Sequence, residues 1–138
     1  MSKLINRSLQ LSTLLVVFLV AIPVTAEPLH PYADPIGLGD QADDVSAILA
    51  ASFEPTPWML AKENDALYLG KLSYKEVDVQ VRISVVDNVL TLTLDSVTEA
   101  GCGSDCEDLG EKAALRWLVS LRRDIAHELT LRVRDSLQ

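Results

Sequence analysis

Positive charge is scarce in this chain. Its 138 residues hold 12 Lys and Arg against 20 Asp and Glu. Clustered cations are what nucleic acid and anionic lipid surfaces require, so both are excluded as expected partners. The glycine-rich loops of dinucleotide and phosphate sites are also missing, with no G-x-G-x-x-G or Walker-type segment anywhere. No nucleophile elbow supports a hydrolase, and Asp95, Ser96 and His127 are too weak a set to argue one. Only two histidines, His30 and His127, and two cysteines, Cys102 and Cys106, are available to hold a metal. Neither an internal repeat nor a low-complexity tract interrupts the chain. No catalytic constellation is recognised, and no cofactor is expected.

What is present begins with a single long apolar run. Lys3 and Arg7 precede a largely apolar stretch from Leu9 to Val24, which ends in Val24-Thr25-Ala26 before Glu27-Pro28. A short positive region, an apolar core and a small-residue ending describe a cleavable secretory signal over residues 1–26. Pro23 breaks the run and no stop-transfer cluster follows, so no lasting membrane anchor is expected. The expectation is a soluble exported protein of a Gram-negative periplasm. Removing those 26 residues takes away Lys3 and Arg7 but no acid, which leaves 10 − 20 = −10 on 112 residues. One domain of that size can bury a single core without many disulfides.

Residues 27–39, EPLHPYADPIGLG, carry three prolines and two glycines without apolar periodicity, and predict an extended arm. A single α+β domain over 40–138 follows. Ala42, Val45, Ile48, Leu49 and Phe53 recur at helical spacing and predict a helix over about 41–52, ended by Pro55 and Pro57. An antiparallel meander of three to four strands comes next. Residues 57–63 form a short strand and Asn64-Asp65 a tight turn, both types tolerating positive φ. Residues 66–74 make the second strand. Val77, Val79, Val81, Ile83 and Val85 alternate with Asp78, Gln80, Arg82 and Ser84 in the third, giving one buried face and one wet face. Asp87-Asn88 turns the chain into a last strand, Val89 to Val97. From Asp108 onward, Ala114, Trp117, Leu118, Leu121, Ile125 and Leu129 mark a C-terminal helix whose apolar stripe roofs one face of the sheet. Leu129 to Val133 alternates, so pattern alone leaves residues 129–138 as helix, strand or tail.

This order of elements resembles the small uncharacterised periplasmic proteins and lipoproteins of Gram-negative bacteria. Trp58, the strand from Val79 to Asp87, Asp95-Ser96, Trp117, Leu121 and Ile125 carry the resemblance. It implies an α+β fold and no assigned activity. The anchoring cysteine of the lipoprotein members is absent, and the Cys102/Cys106 segment is not one of their features.

The segment EAGCGSDCEDLG supports three chemistries. A disulfide between Cys102 and Cys106 is the expected one, because an oxidising compartment pairs two lone cysteines and the flanking glycines let the sulfurs meet. So short a loop contributes about 2 kcal/mol by chain entropy. The alternative is a metal-binding or thiol-redox accessory protein. A metal would take Cys102, Cys106 and His30, since a helix from Asp108 carries His127 roughly 30 Å beyond the pair. Ser104 to Glu107 or Asp108 to Glu111 could cap that helix and place Cys106 in its first turn, but the surrounding acids oppose a thiolate. The acidic residues lack the spacing of an EF-hand.

Two further groups stand out. Trp58, Tyr68, Tyr74 and Trp117 could line a pocket between sheet and helix. Arg116, Arg122 and Arg123, with Arg132 and Arg134, form a basic row on an acidic body and a candidate partner surface, including for a second copy of the chain. Intrahelical pairs such as Asp124 with its neighbouring arginines are the structural explanation of that row. The functional expectation is a small exported, non-catalytic binding or interaction module of the bacterial cell envelope, its partner an envelope protein or small ligand.

Overall fold

The valine alternation from Val77 onward becomes a ten-residue strand at the centre of an antiparallel sheet. A computed structural model describes residues 30–99 and 107–138. Its strands are β1 (Ile36–Gly37), β2 (Met59–Asn64), β3 (Leu67–Tyr74), β4 (Val77–Val86) and β5 (Val89–Glu99), in the order β1-β5-β4-β3-β2. Helix α1 (Val45–Phe53) and helix α2 (Glu107–Ser136) pack on one face. The α+β class is as expected, but five strands replace the three or four anticipated.

The fifth strand comes from the segment expected to be a free arm. Ile36 and Gly37 pair with Leu90 and Val89, while Ile36 and Leu38 enter the core. The Leu38 N–H donates to the Asn88 carbonyl at 2.8 Å, and Pro31–Ala33 forms a 3₁₀ turn. The packed domain therefore starts before residue 40. Proline and glycine mask this, because two residues of pairing are too few to show a period. The first helix is also later than predicted. Gly39–Asp44 is a 3₁₀ helix, and regular α-helix begins at Val45, where Ile48, Leu49 and Phe53 turn inward.

Val79, Val81 and Ile83 of β4 are buried beside Tyr68 and Leu72 of β3 and Leu90 and Leu92 of β5. Ala114, Leu118, Leu121 and Ile125 of α2 close over them. Gly70 pairs with both Leu60 and Val81, and the Phe53 ring of α1 occupies the space a side chain there would take. One register shift matters on the opposite edge: Gln80 pairs with Ser96 but Val81 pairs with Leu94. Asp95 is thus the extra residue of a β-bulge, which lets Val97 follow Leu94 onto the core side. The sequence places Asp95-Ser96 near the end of the strand; in the fold Asp95 accepts from Gln80 Nε2 at 2.8 Å and Arg82 Nη2 at 2.9 Å within it.

The turns divide by chemistry. Asp87 (φ 51°) and Asn88 (φ 60°) form the expected turn, both in the left-handed conformation. The β2–β3 turn instead centres on Asp65-Ala66, with Asn64 Oδ1 accepting from the Ala66 N–H at 2.8 Å, so an Asx turn replaces the positive-φ turn expected at Asn64-Asp65. The Lys62 ammonium, 2.7 Å from Asp65, holds that carboxyl below its ordinary range, although both groups are exposed. Lys75 (φ 48°) and Glu76 (φ 65°) also sit in left-handed space, where a side chain costs about 1–2 kcal/mol per residue. Lys75→Asn with Glu76→Gly is therefore expected to stabilise the fold by about 1 kcal/mol, read as a higher urea midpoint at unchanged slope.

Helix α2 settles the C-terminal question. It runs unbroken to Ser136, past the alternating residues 129–133. Leu129 is buried, Leu131 partly buried and Val133 exposed, which is the pattern of a helix leaving the core rather than of a strand. Among the described residues no helix is long and apolar enough to cross a membrane.

Candidate functional site

Three of the four aromatics singled out in the sequence converge where α1, β3 and α2 meet. Thr56 organises the approach. Its hydroxyl donates to the Phe53 carbonyl at 2.8 Å and accepts from the Trp58 N–H at 3.2 Å, so Pro55-Thr56-Pro57 turns sharply and Trp58 points inward. Trp58 is buried, with Leu72 behind it. Tyr74, the last residue of β3, is 47% exposed and meets Trp117 of α2 edge to face, with ring centroids 5.6 Å apart and planes at 88°. Between them lies an open groove of about 340 Å³. Tyr68 is the exception, because its hydroxyl shares a 2.7 Å hydrogen bond with Ser46 of α1 and its ring is core.

One flank of α2 supplies the groove's polar lining. Trp117, Ser120, Leu121 and Asp124 recur at i, i+3, i+4 and i+7, so helical geometry aligns them in one column. Asp124 is partly buried. The arginine pairs expected for it do not form: the ion pairs of α2 join Arg132 to Glu128 at 3.2 Å and Arg134 to Asp135 at 3.0 Å. Arg123 instead approaches Ser120 Oγ at 3.5 Å. Asp124 has neither ion pair nor hydrogen bond among the described residues. Lys75, outside the lining, has its Nζ 5.3 Å from the Tyr74 ring centroid.

Compared with known families and curated proteins, the chain matches none. The chemistry of the groove has to be read from its own residues. Aromatic faces, two proline walls, three hydroxyls and one unpaired carboxylate suit recognition of a ligand with an apolar body and a polar head. Among the described residues no histidine or cysteine lines it.

The basic row does not stay together. The Arg122 guanidinium donates from Nε to the Asp34 carbonyl at 2.8 Å and from Nη2 toward the Pro35 carbonyl at 3.5 Å. It ties residues 34–35 to α2 and is a structural clamp. Arg116 and Arg123 are exposed on the helix. Sequence periodicity had no means of revealing the clamp, since its acceptors are backbone carbonyls 87 and 88 positions away.

His30 caps the 3₁₀ turn, its Nδ1 accepting from the Tyr32 N–H at 3.5 Å. With Lys112, Leu115, Arg116 and Val119 it lines a second hollow of about 560 Å³. Cys102 and Cys106 lie outside the described residues, and with them the expected disulfide and the alternative metal or redox site. Helix α2 is continuous from Glu107, which puts His127 about 30 Å along the axis from that end. Among the described residues no three metal-ligating side chains gather. Glu99, the last residue of β5, abuts the first turns of α2: a Cβ at Gly110 would lie 3.0 Å from its Oε2.

Proposed function

We propose that this chain is a non-catalytic binding module of the bacterial cell envelope, working in the periplasm after export, and that the groove between Trp58, Tyr74 and Trp117 holds its ligand. The observation that carries this is the convergence of three separate elements on one concave aromatic surface. Its Tyr74 and Trp117 rings stay partly open to solvent although Tyr68, Leu72, Val79, Val81 and Ile83 on the sheet's helical side are buried. Exposing aromatic surface costs free energy, and a groove of this volume lies at the lower end of small-ligand sites. The signal-like residues 1–26 and the acidic body, poorly suited to nucleic acid, support the envelope setting.

Nuclear magnetic resonance of the ¹⁵N-labelled protein tests the proposal. Soluble aromatic, sugar and amine compounds are titrated while the indole N–H signals of Trp58 and Trp117 and the amides of Ser120 and Asp124 are followed. Saturable shifts centred on those four, abolished by Trp117→Ala, are expected for at least one compound class. Shifts confined to other surfaces, or none with any class, would remove the groove as a binding place.

A further inference from the structure

Asp124 is the group whose surroundings are incomplete. It is partly buried beside Trp117 and Leu121 and lacks any protein partner among the described residues, although Arg123 is its neighbour in sequence and Arg132 and Arg134 lie on the same helix. Its carboxylate oxygens are not sealed from solvent, so a cationic ligand reaches them without displacing a protein partner. No arginine of the helix pairs with it: Arg123 Nη2 reaches Ser120 Oγ at 3.5 Å instead, and the other two pair with Glu128 and Asp135 further along α2.

The rings around Asp124 favour the same sign of ligand. Aromatic faces attract ammonium and guanidinium groups, and this chain already uses the contact twice, with Lys75 5.3 Å from the Tyr74 centroid and Lys62 5.9 Å from the Tyr68 centroid. The volume of about 340 Å³ suits a small molecule rather than a long peptide. Pro55 and Pro57 close one side and α2 the other.

From these observations we infer that the groove binds a small organic cation, its ammonium or guanidinium head against Asp124 and its apolar body against Trp117 and Tyr74. This rests on the groove being the binding place. Lys75, 5.3 Å from the Tyr74 centroid, competes for that ring, so it tunes affinity downward. Ser120 offers its hydroxyl hydrogen to a polar group on the body of the ligand, whereas Thr56 already donates to the Phe53 carbonyl.

Three probes of one shape separate the terms: benzyltrimethylammonium, benzyl alcohol and benzoate, each titrated while the indole signals of Trp58 and Trp117 are followed. The cation is expected to bind at least tenfold more tightly than the alcohol, and benzoate not to bind. Asp124→Asn should remove the tenfold preference while leaving alcohol binding as it was. Lys75→Gln should strengthen cation binding severalfold, an effect that a loss of folding would not produce. Equal affinity for cation and alcohol, tighter binding of benzoate, or an unchanged preference in Asp124→Asn overturns the cation assignment but leaves an apolar groove. If none of the three moves the indole signals while sugars or other compounds do, the cation assignment alone falls. If Trp117→Ala leaves every titration unaltered, the groove itself falls.

Discussion

Gly70→Ala is expected to destabilise the protein by about 3 kcal/mol, the upper end of what overpacking a tight core costs. A Cβ at this position would sit 2.7 Å from Val81 Cγ1 and 3.2 Å from Cε1 and Cζ of Phe53. Val81 is wholly buried in the central strand and Phe53 is the buried last residue of α1, so neither can retreat without moving a secondary-structure element. Alanine would ordinarily be a gain over glycine in a strand, since it restricts the unfolded chain more. The clash reverses that sign. Urea unfolding should show a lower midpoint at unchanged slope. Adding Val81→Ala to Gly70→Ala should recover part of the loss, because the second change removes the nearest obstructing atom and the two sites touch. A neutral Gly70→Ala would mean that Phe53 does not close onto the sheet there. The groove depends on the same contact, since the Phe53 carbonyl is what Thr56 holds to turn Trp58 inward.

Leu38→Ala should cost about 3 kcal/mol, within the usual range for emptying a buried leucine site. In a domain of this size that lowers the thermal midpoint by roughly 10 °C. Leu38 is 1% exposed, donates to the Asn88 carbonyl and accepts from the Gln41 N–H at 3.0 Å. It therefore joins the β4–β5 turn to the entry of α1. Were residues 27–39 a free arm, the substitution would change nothing. Met59→Ala, at a side chain 65% exposed on β2, is the control and should stay within about 0.5 kcal/mol of the parent. Equal midpoints for Leu38→Ala and Met59→Ala would return the segment to solvent.

The candidate site was partly visible in advance. Trp58, Tyr74 and Trp117 stood out because aromatics are few in this chain, and rarity draws attention to each one. Which of them shared a surface was not visible: Tyr68 has the same residue type and a neighbouring position, yet its place opposite Ser46 sends it into the core. Asp124 was seen, but with the wrong environment. Helical spacing shows which charges can meet, whereas the rotamers that decide whether they do depend on Ser120 and on what packs beside the helix. Arg122 was noticed as charge and turned out to be a clamp, because backbone carbonyls that accept hydrogen bonds leave no signature in composition.

What the sequence by itself determined is the local exposure of each segment. A period of two marked β4 and β5, a period near 3.6 marked α1 and α2, and together these set the α+β class with one covered sheet face, because each side chain's burial is written into its spacing along its own element. Tertiary structure alone decided the docking of Ile36 and Leu38, the bulge at Asp95, the pairing of Gly70 with Phe53 and the gathering of the groove. Each of these joins residues of different elements, and such contacts are selected by volume and hydrogen-bond satisfaction in the folded core, quantities that no single segment carries.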